Sequence, residues 1–199
     1  MKTNIADFRT RITADTLELD ALAAWLDHAS PEIRLSAVQS LSKRDQFRLY
    51  HGTQQHRKLA IDHFVPAGVA DLVEVIHHGK NSLGVFSHFQ KRFCRVPEGD
   101  GRLSGYNEGS LRWAVGPGYF VAYEHAEDGE VWVDYHQLPA DKVAEWPEIQ
   151  PQSVRLGRFV YSGMIDVLRP VSEHVTIGRA IRGGKESENY FALCRQDLA

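Results

Sequence analysis

The sequence predicts an α+β protein in which short N-terminal helices are followed by a mainly antiparallel curved sheet or β-barrel. Three observations carry this. Apolar residues in the first 65 positions recur at helical spacing behind capping residues, the period changes to two from about residue 102, and Gly- or Pro-bearing turns punctuate the second half. Residues 1–65 form the helical region and 66–199 the β body, with one short helix allowed near 82–93.

Asp20 precedes Leu22, Trp25 and Leu26, whose i, i+3, i+4 spacing lays one apolar face on a neighbour. Ser30 followed by Pro31 starts the next helix: the serine oxygen accepts from an orphan amide, and proline in the first turn gives up no needed donor. Ile33, Ala37, Val38 and Leu41 share its inner face. Ser42 and Asp45 have the spacing of a capping box ahead of Phe47 and Tyr50. These signals predict a helical hairpin or a three-helix layer.

Pro66 and Gly68 then break the chain, and Leu72 to Ile76 reads as a strand. Ser82 is a helix cap for Leu83, Phe86 and Phe93, in competition with an extended reading of Lys91 to Val96. Leu111, Trp113 and Val115 alternate as in a half-buried strand. Gly116-Pro117-Gly118 turns into a strand at Tyr119 to Glu124, and Glu127-Asp128-Gly129 into Val131, Val133 and Tyr135 on one face. After the connection Leu138 to Gln152, strands follow at Phe159 to Leu168, Val175 to Ile181 and Tyr190 to Arg195. A sheet of six or more strands tends to close on itself to hide its edges.

With 43% hydrophobic and 25% charged residues the chain has an ordinary globular composition. A net charge of −3 argues against nucleic acid as a partner, because phosphate neutralisation needs a basic surface. No run approaches the roughly 18 apolar residues of a membrane span, so no membrane partner is expected. The first residues lack the apolar stretch of a secretory signal, which predicts a cytoplasmic location. Cys94 and Cys194 are expected to be reduced and buried.

The runs Met164-Ile165-Asp166-Val167-Leu168-Arg169-Pro170-Val171, His174-Val175-Thr176-Ile177-Gly178-Arg179 and Tyr190-Phe191-Ala192-Leu193-Cys194-Arg195 form a C-terminal signature. It resembles the C-terminal hairpin of small lipocalin-like bacterial proteins named for a GXWXG motif. The resemblance covers about a fifth of the chain and implies a lipocalin-like β-barrel. The motif itself is absent; Gln90-Lys91-Arg92-Phe93 leading towards Gly105-Tyr106-Asn107 is its nearest counterpart, and no functional residue is carried over.

Three constellations could carry chemistry. His77-His78-Gly79-Lys80-Asn81-Ser82 fails the P-loop pattern, since Glu74 stands where the first glycine belongs and Asn81 where magnesium needs a hydroxyl. A plainer anion site would use His78, Lys80, His88, Lys91 and Arg92, with Arg95 and the amides near Ser82, set against a merely solvated basic face. Asp134 and His136, two apart on a strand, would project together as an acid/base pair; no third residue makes them a metal site, and their bland reading is a surface salt link. Tyr106, Asn107, Trp113, Tyr119 and Tyr161, with Tyr123, Trp132 and Tyr135, either line a pocket or fill a core.

The leading expectation is a noncatalytic protein that binds an apolar small molecule carrying an anionic group, without cofactor or metal. The alternatives are a small enzyme using Asp134 and His136 in a cup-shaped pocket, which requires both to face the cavity, and a homodimeric interaction module using an exposed stripe on residues 20–50.

Overall fold

The computed structural model describes residues 4–84, 87–97, 99–110, 112–151 and 156–198. Four helices come first: α1 (Ile5–Thr13), α2 (Leu19–His28), α3 (Pro31–Gln39) and α4 (Lys43–Gly52). Their starts follow the caps read from the sequence. Ser30 Oγ accepts from the Ile33 amide, and Ser42 and Asp45 form the reciprocal capping box. Asp45 also accepts from Arg9 at 2.8 Å, tying α1 to the head of α4.

Eight antiparallel strands follow: β1 (Val75–Asn81), β2 (His88–Arg95), β3 (Leu103–Glu108), β4 (Phe120–His125), β5 (Glu130–Asp134), β6 (Met164–Pro170), β7 (Val175–Arg182) and β8 (Lys185–Arg195). Each pairs with the next, and β8 pairs back on β1, so the sheet is a closed barrel without edges. Two short helical turns, α5 (Arg112–Val115) and α6 (Gly157–Val160), sit in the β3–β4 and β5–β6 connections.

Several local expectations are corrected: the strand read at Leu72 to Ile76 begins only at Val75, and the strand read from Phe159 begins only at Met164, with Phe159 and Val160 in α6. The helix expected near 82–93 is a β-hairpin, because Phe89, Lys91 and Phe93 alternate with Gln90 and Arg92 along β2 and the extended reading prevails. Phe86 lies outside the described residues. Trp113 and Val115 belong to α5 rather than to a strand; Leu111, the third member of that alternation, lies outside the described residues. The strand in this region is β3, whose Leu103 pairs with Ala122 and Gly105 with Phe120.

The apolar stripe on residues 20–50 is spent within the chain. Leu22, Trp25, Leu26, Ala37, Val38, Leu41, Leu49 and Tyr50 pack with Val175, Ile177, Tyr190, Ala192 and Cys194 on the outer face of β7 and β8. Burying a side chain such as Trp25 or Leu26 contributes about 1.5–3 kcal/mol, which fixes the helices to the barrel wall. The stripe whose exposure would indicate a homodimer surface is therefore covered within the chain, with Phe47 the one large apolar side chain of α4 left exposed. Cys94 and Cys194 are both buried free thiols.

Inside the barrel the two ends differ. The end nearest the helices' exit is stoppered by residues 59–65, where Leu59, Phe64 and Val65 pack on Val75, Phe93, Leu103, Val131, Leu168 and Leu193. His77 is fully buried under this stopper; with Nε2 carrying its proton it donates to the Phe64 carbonyl at 3.0 Å, leaving Nδ1 without a partner among the described residues. Burial pulls the His77 pKa down from its ordinary 6.5 to about 3, with Arg195 adding repulsion, and burial moves His63 in the same direction. Protons then bind more readily to the unfolded chain, so this contribution is whole above pH 6.5 and declines as pH falls towards 3. Urea midpoints should drop between pH 7 and pH 5, and His77→Gln should flatten that slope; an unchanged slope in the variant would refute the assignment to His77.

Candidate functional site

The other half of the barrel is open and encloses a cavity of about 430 Å³. Its walls come from inward-facing positions: Phe89 on β2, Met164 on β6, Ala180 on β7 and Phe191 on β8, with Tyr161 leaning in from the turn after α6. Glycine makes room for two of the rings that shape the interior. A Cβ on Gly178 would lie 2.3 Å from the Phe191 ring and one on Gly105 2.3 Å from the Phe120 ring, so both strands let an aromatic face rest directly on backbone.

A polar cluster forms the floor. Lys91 Nζ donates to Asp166 Oδ2 at 2.9 Å, to Asn107 Oδ1 at 3.0 Å and to the Tyr135 hydroxyl, so all three ammonium protons are used. The Tyr135 hydroxyl in turn donates to Asp166 Oδ2 at 3.1 Å and accepts from Asn107 Nδ2 at 3.1 Å. Asn107 Nδ2 also donates to the Gly118 carbonyl, which anchors the cluster to the β3–β4 connection.

The rings of Phe89, Phe120, Tyr135 and Phe191 stand 4.9–5.9 Å from Nζ and form an aromatic cage around the charge. Burial lowers the Lys91 pKa while the Asp166 carboxylate opposes that shift. Burial, reinforced by Asp166, raises the Tyr135 phenol well above its ordinary range, so it remains a donor. Asp166 Oδ1 has no hydrogen bond among the described residues, and Tyr161, stacked on Tyr135 at 5.2 Å, presents a second polar group at the cavity.

Among the apolar side chains at the mouth stand polar groups of both charges. Arg112 is paired with Glu108 at 2.9 Å, Arg182 donates to the carbonyls of Phe159 and Val160, and His88 lies on the rim beside Ser87. Arg112, Arg182, His88 and Glu108 all border the opening.

Of the residues singled out from the sequence, the structure brings Lys91, Asn107, Tyr161 and His88 together at this cavity. The rest lie elsewhere. His78 and Arg92 border a shallow groove on the outer wall, where His78 meets Gln196 and Arg92 is held by Glu74 and Gln90. Lys80 shares the outward parity of His78 on β1. Arg95 is held by Asp62 and the carbonyls of Pro66 and Val65, while the Ser82 amide donates to the Tyr190 carbonyl. The expected anion site is thus split: Lys91 turns into the barrel, whereas His78, Lys80, His88 and Arg92 share the outward parity of the β1–β2 hairpin, with Lys80 paired to His88.

Tyr106 and Tyr119 pack with Trp146 and Cys94 on the outside of the barrel, under the chain that connects β5 to β6. Trp113 stands on α5 with three quarters of its surface exposed. Tyr123 is on the outer parity of β4, and Trp132 stacks on His125 outside β5. Asp134 and His136 are hydrogen-bonded, Nδ1 to Oδ1 at 2.7 Å, but on the outer wall; Val131, Val133 and Tyr135 face inwards instead. Asp134 also accepts from the His136 amide and from Gln137 Nε2, so its carboxylate closes the turn at the end of β5. The condition set for the acid/base reading, that both face the cavity, is not met.

Asp166 is the central residue that site reasoning from sequence passed over. Its signal was present: it interrupts an otherwise apolar inward row between Met164 and Leu168, as Lys91 does between Phe89 and Phe93. A charge of each sign in two buried rows calls for a partner. Among the described residues, no three His, Cys, Asp or Glu side chains gather where they could hold a metal ion, and no helix is long and apolar enough to cross a membrane.

Compared with known proteins, the chain matches no family model and no curated protein sequence.

Proposed function

We propose that this protein is a noncatalytic carrier or receptor for a small, largely apolar molecule that enters the open half of the barrel. The observation that carries this is a cavity of about 430 Å³ closed at one end and lined by aromatic and aliphatic side chains. Small-molecule sites commonly occupy about 300–1,000 Å³ with few, fixed polar groups. The resemblance to lipocalin-like proteins supports the same reading.

The polar groups define the ligand further. Asp166 already neutralises Lys91, so the floor has no surplus positive charge for a buried anion. Asp166 Oδ1 and Tyr161 suit a hydroxyl or other hydrogen-bond donor at the buried end of the ligand. An anionic group belongs at the rim, against Arg182, Arg112 and His88, where water and arginine share its solvation.

Displacement of the environment-sensitive dye anilinonaphthalene sulfonate by medium-chain fatty acids, hydroxy fatty acids and phenolic carboxylates tests this. Wild type should take up the dye and release it to at least one of these classes, the hydroxylated members competing best. Ala180→Phe, which fills the cavity, should reduce dye uptake by roughly tenfold or more while leaving the circular dichroism spectrum unchanged. Equal dye binding by folded wild type and folded variant would overturn the reading.

A further inference from the structure

Nine large apolar side chains are exposed among the described residues; two of them, Leu83 and Val160, line the cavity, and three more, Trp113, Leu156 and Phe159, lie on or beside the α5 and α6 turns whose Arg112, Val115 and Val160 border it. These five come from three different connections, β1–β2, β3–β4 and β5–β6, so sequence neighbourhood alone does not explain the clustering. α5 and α6 touch, with the Leu156 amide on the Ala114 carbonyl, while Leu83 and Val160 also line the cavity. Singly exposed apolar residues are ordinary; a contiguous collar of them around an opening marks a contact surface.

The same collar carries positive charge. The Arg158 guanidinium lies 4.6 Å from the Phe159 ring centroid, Arg182 is anchored to the α6 carbonyls, and Lys185 follows the β7–β8 turn. Arg158, Arg182 and Lys185 have no acidic partner among the described residues, and Arg112 is offset by Glu108. Glu186 and Glu188 are drawn to Arg179 on the outer wall.

We infer that this collar docks on an anionic lipid surface, with Trp113 and Phe159 entering the headgroup boundary and the cations meeting the headgroups. A bilayer supplies both complements at once: an apolar layer for rings and aliphatic groups, and negative charge immediately above it. Trp is suited to that boundary because its ring is apolar and its N–H is polar. That no helix among the described residues is long and apolar enough to cross a membrane does not bear on this, since lying on a membrane and crossing it are different physical states. Such docking would set the cavity mouth against the lipid phase from which an apolar ligand partitions.

Co-sedimentation with vesicles of phosphatidylcholine alone and of phosphatidylcholine and phosphatidylglycerol in equal parts tests the inference. The full chain should pellet preferentially with the mixed vesicles, be released by salt and show a blue-shifted tryptophan emission. Trp113→Ala with Phe159→Ala should weaken partitioning by roughly tenfold or more, and Arg158→Gln with Lys185→Gln should abolish the preference for anionic vesicles. Failure of wild type to distinguish the two vesicles, or equal binding by the Trp113/Phe159 variant, would overturn it. Light scattering that shows a dimer with Trp113 protected would also overturn it, by giving the collar to a second copy. Ala180→Phe should leave vesicle binding intact, so a failed ligand test and a failed docking test remain separate results.

Discussion

Lys91→Met is expected to destabilise the fold by about 3–5 kcal/mol, the usual consequence of stranding one member of a buried ion pair. Lys91 and Asp166 side chains are 2% and 4% exposed, so the remaining carboxylate has almost no water to replace the ammonium. Tyr135 still donates to it, but one hydrogen bond offsets only part of the cost of burying a carboxylate. The double variant Lys91→Met with Asp166→Asn should recover most of the loss, because asparagine keeps the shape and removes the orphaned charge. Urea unfolding of the three proteins measures this directly. A single variant as stable as wild type, or a double variant no better than the single, would show that the pair does not behave as a buried unit.

Phe64→Ala should have a comparable effect, about 3–5 kcal/mol, through a different mechanism. The ring is fully buried, 4.9 Å from Phe93 and 5.4 Å from His77 between centroids, at the centre of the stopper. Truncation removes its transfer free energy and leaves a void that the rigid barrel wall cannot collapse to fill. Water admitted there would reach His77, so hydrogen exchange of the His77 and Phe93 amides should quicken more than that of α2 and α3. A loss below about 1 kcal/mol would mean the site relaxes around the change. Because the stopper and the floor cluster close the same interior from opposite sides, the two variants test whether the lower barrel is a packed base beneath an open upper half.

Much of this was readable from local chemistry. Ser30-Pro31 and the Ser42/Asp45 box mark helix starts because capping depends on a few adjacent backbone groups. Val131, Val133 and Tyr135 could be assigned to one face because strand alternation is a property of the chain itself. The hairpin at 75–95 was ambiguous, since a run containing Phe89, Lys91, Arg92 and Phe93 satisfies helical and extended spacing alike.

The candidate site was less readable. Tyr106 and Tyr119 look like pocket residues because both faces of the barrel are apolar wherever another segment covers the outside, and alternation cannot say which face is which. Trp113 belonged to an apparent strand whose place in the ladder went to β3, leaving the indole exposed on α5.

The sequence by itself determined the succession from N-terminal helices to an antiparallel sheet, the caps that start α3 and α4, and the shared face of Val131, Val133 and Tyr135. These depend on spacing along a few residues. Only the tertiary structure decided that β8 returns to β1, that Lys91 meets Asp166 across the interior, and that one end is stoppered while the other stays open. Those outcomes rest on contacts between distant segments, whose free energy exists only once the barrel has closed.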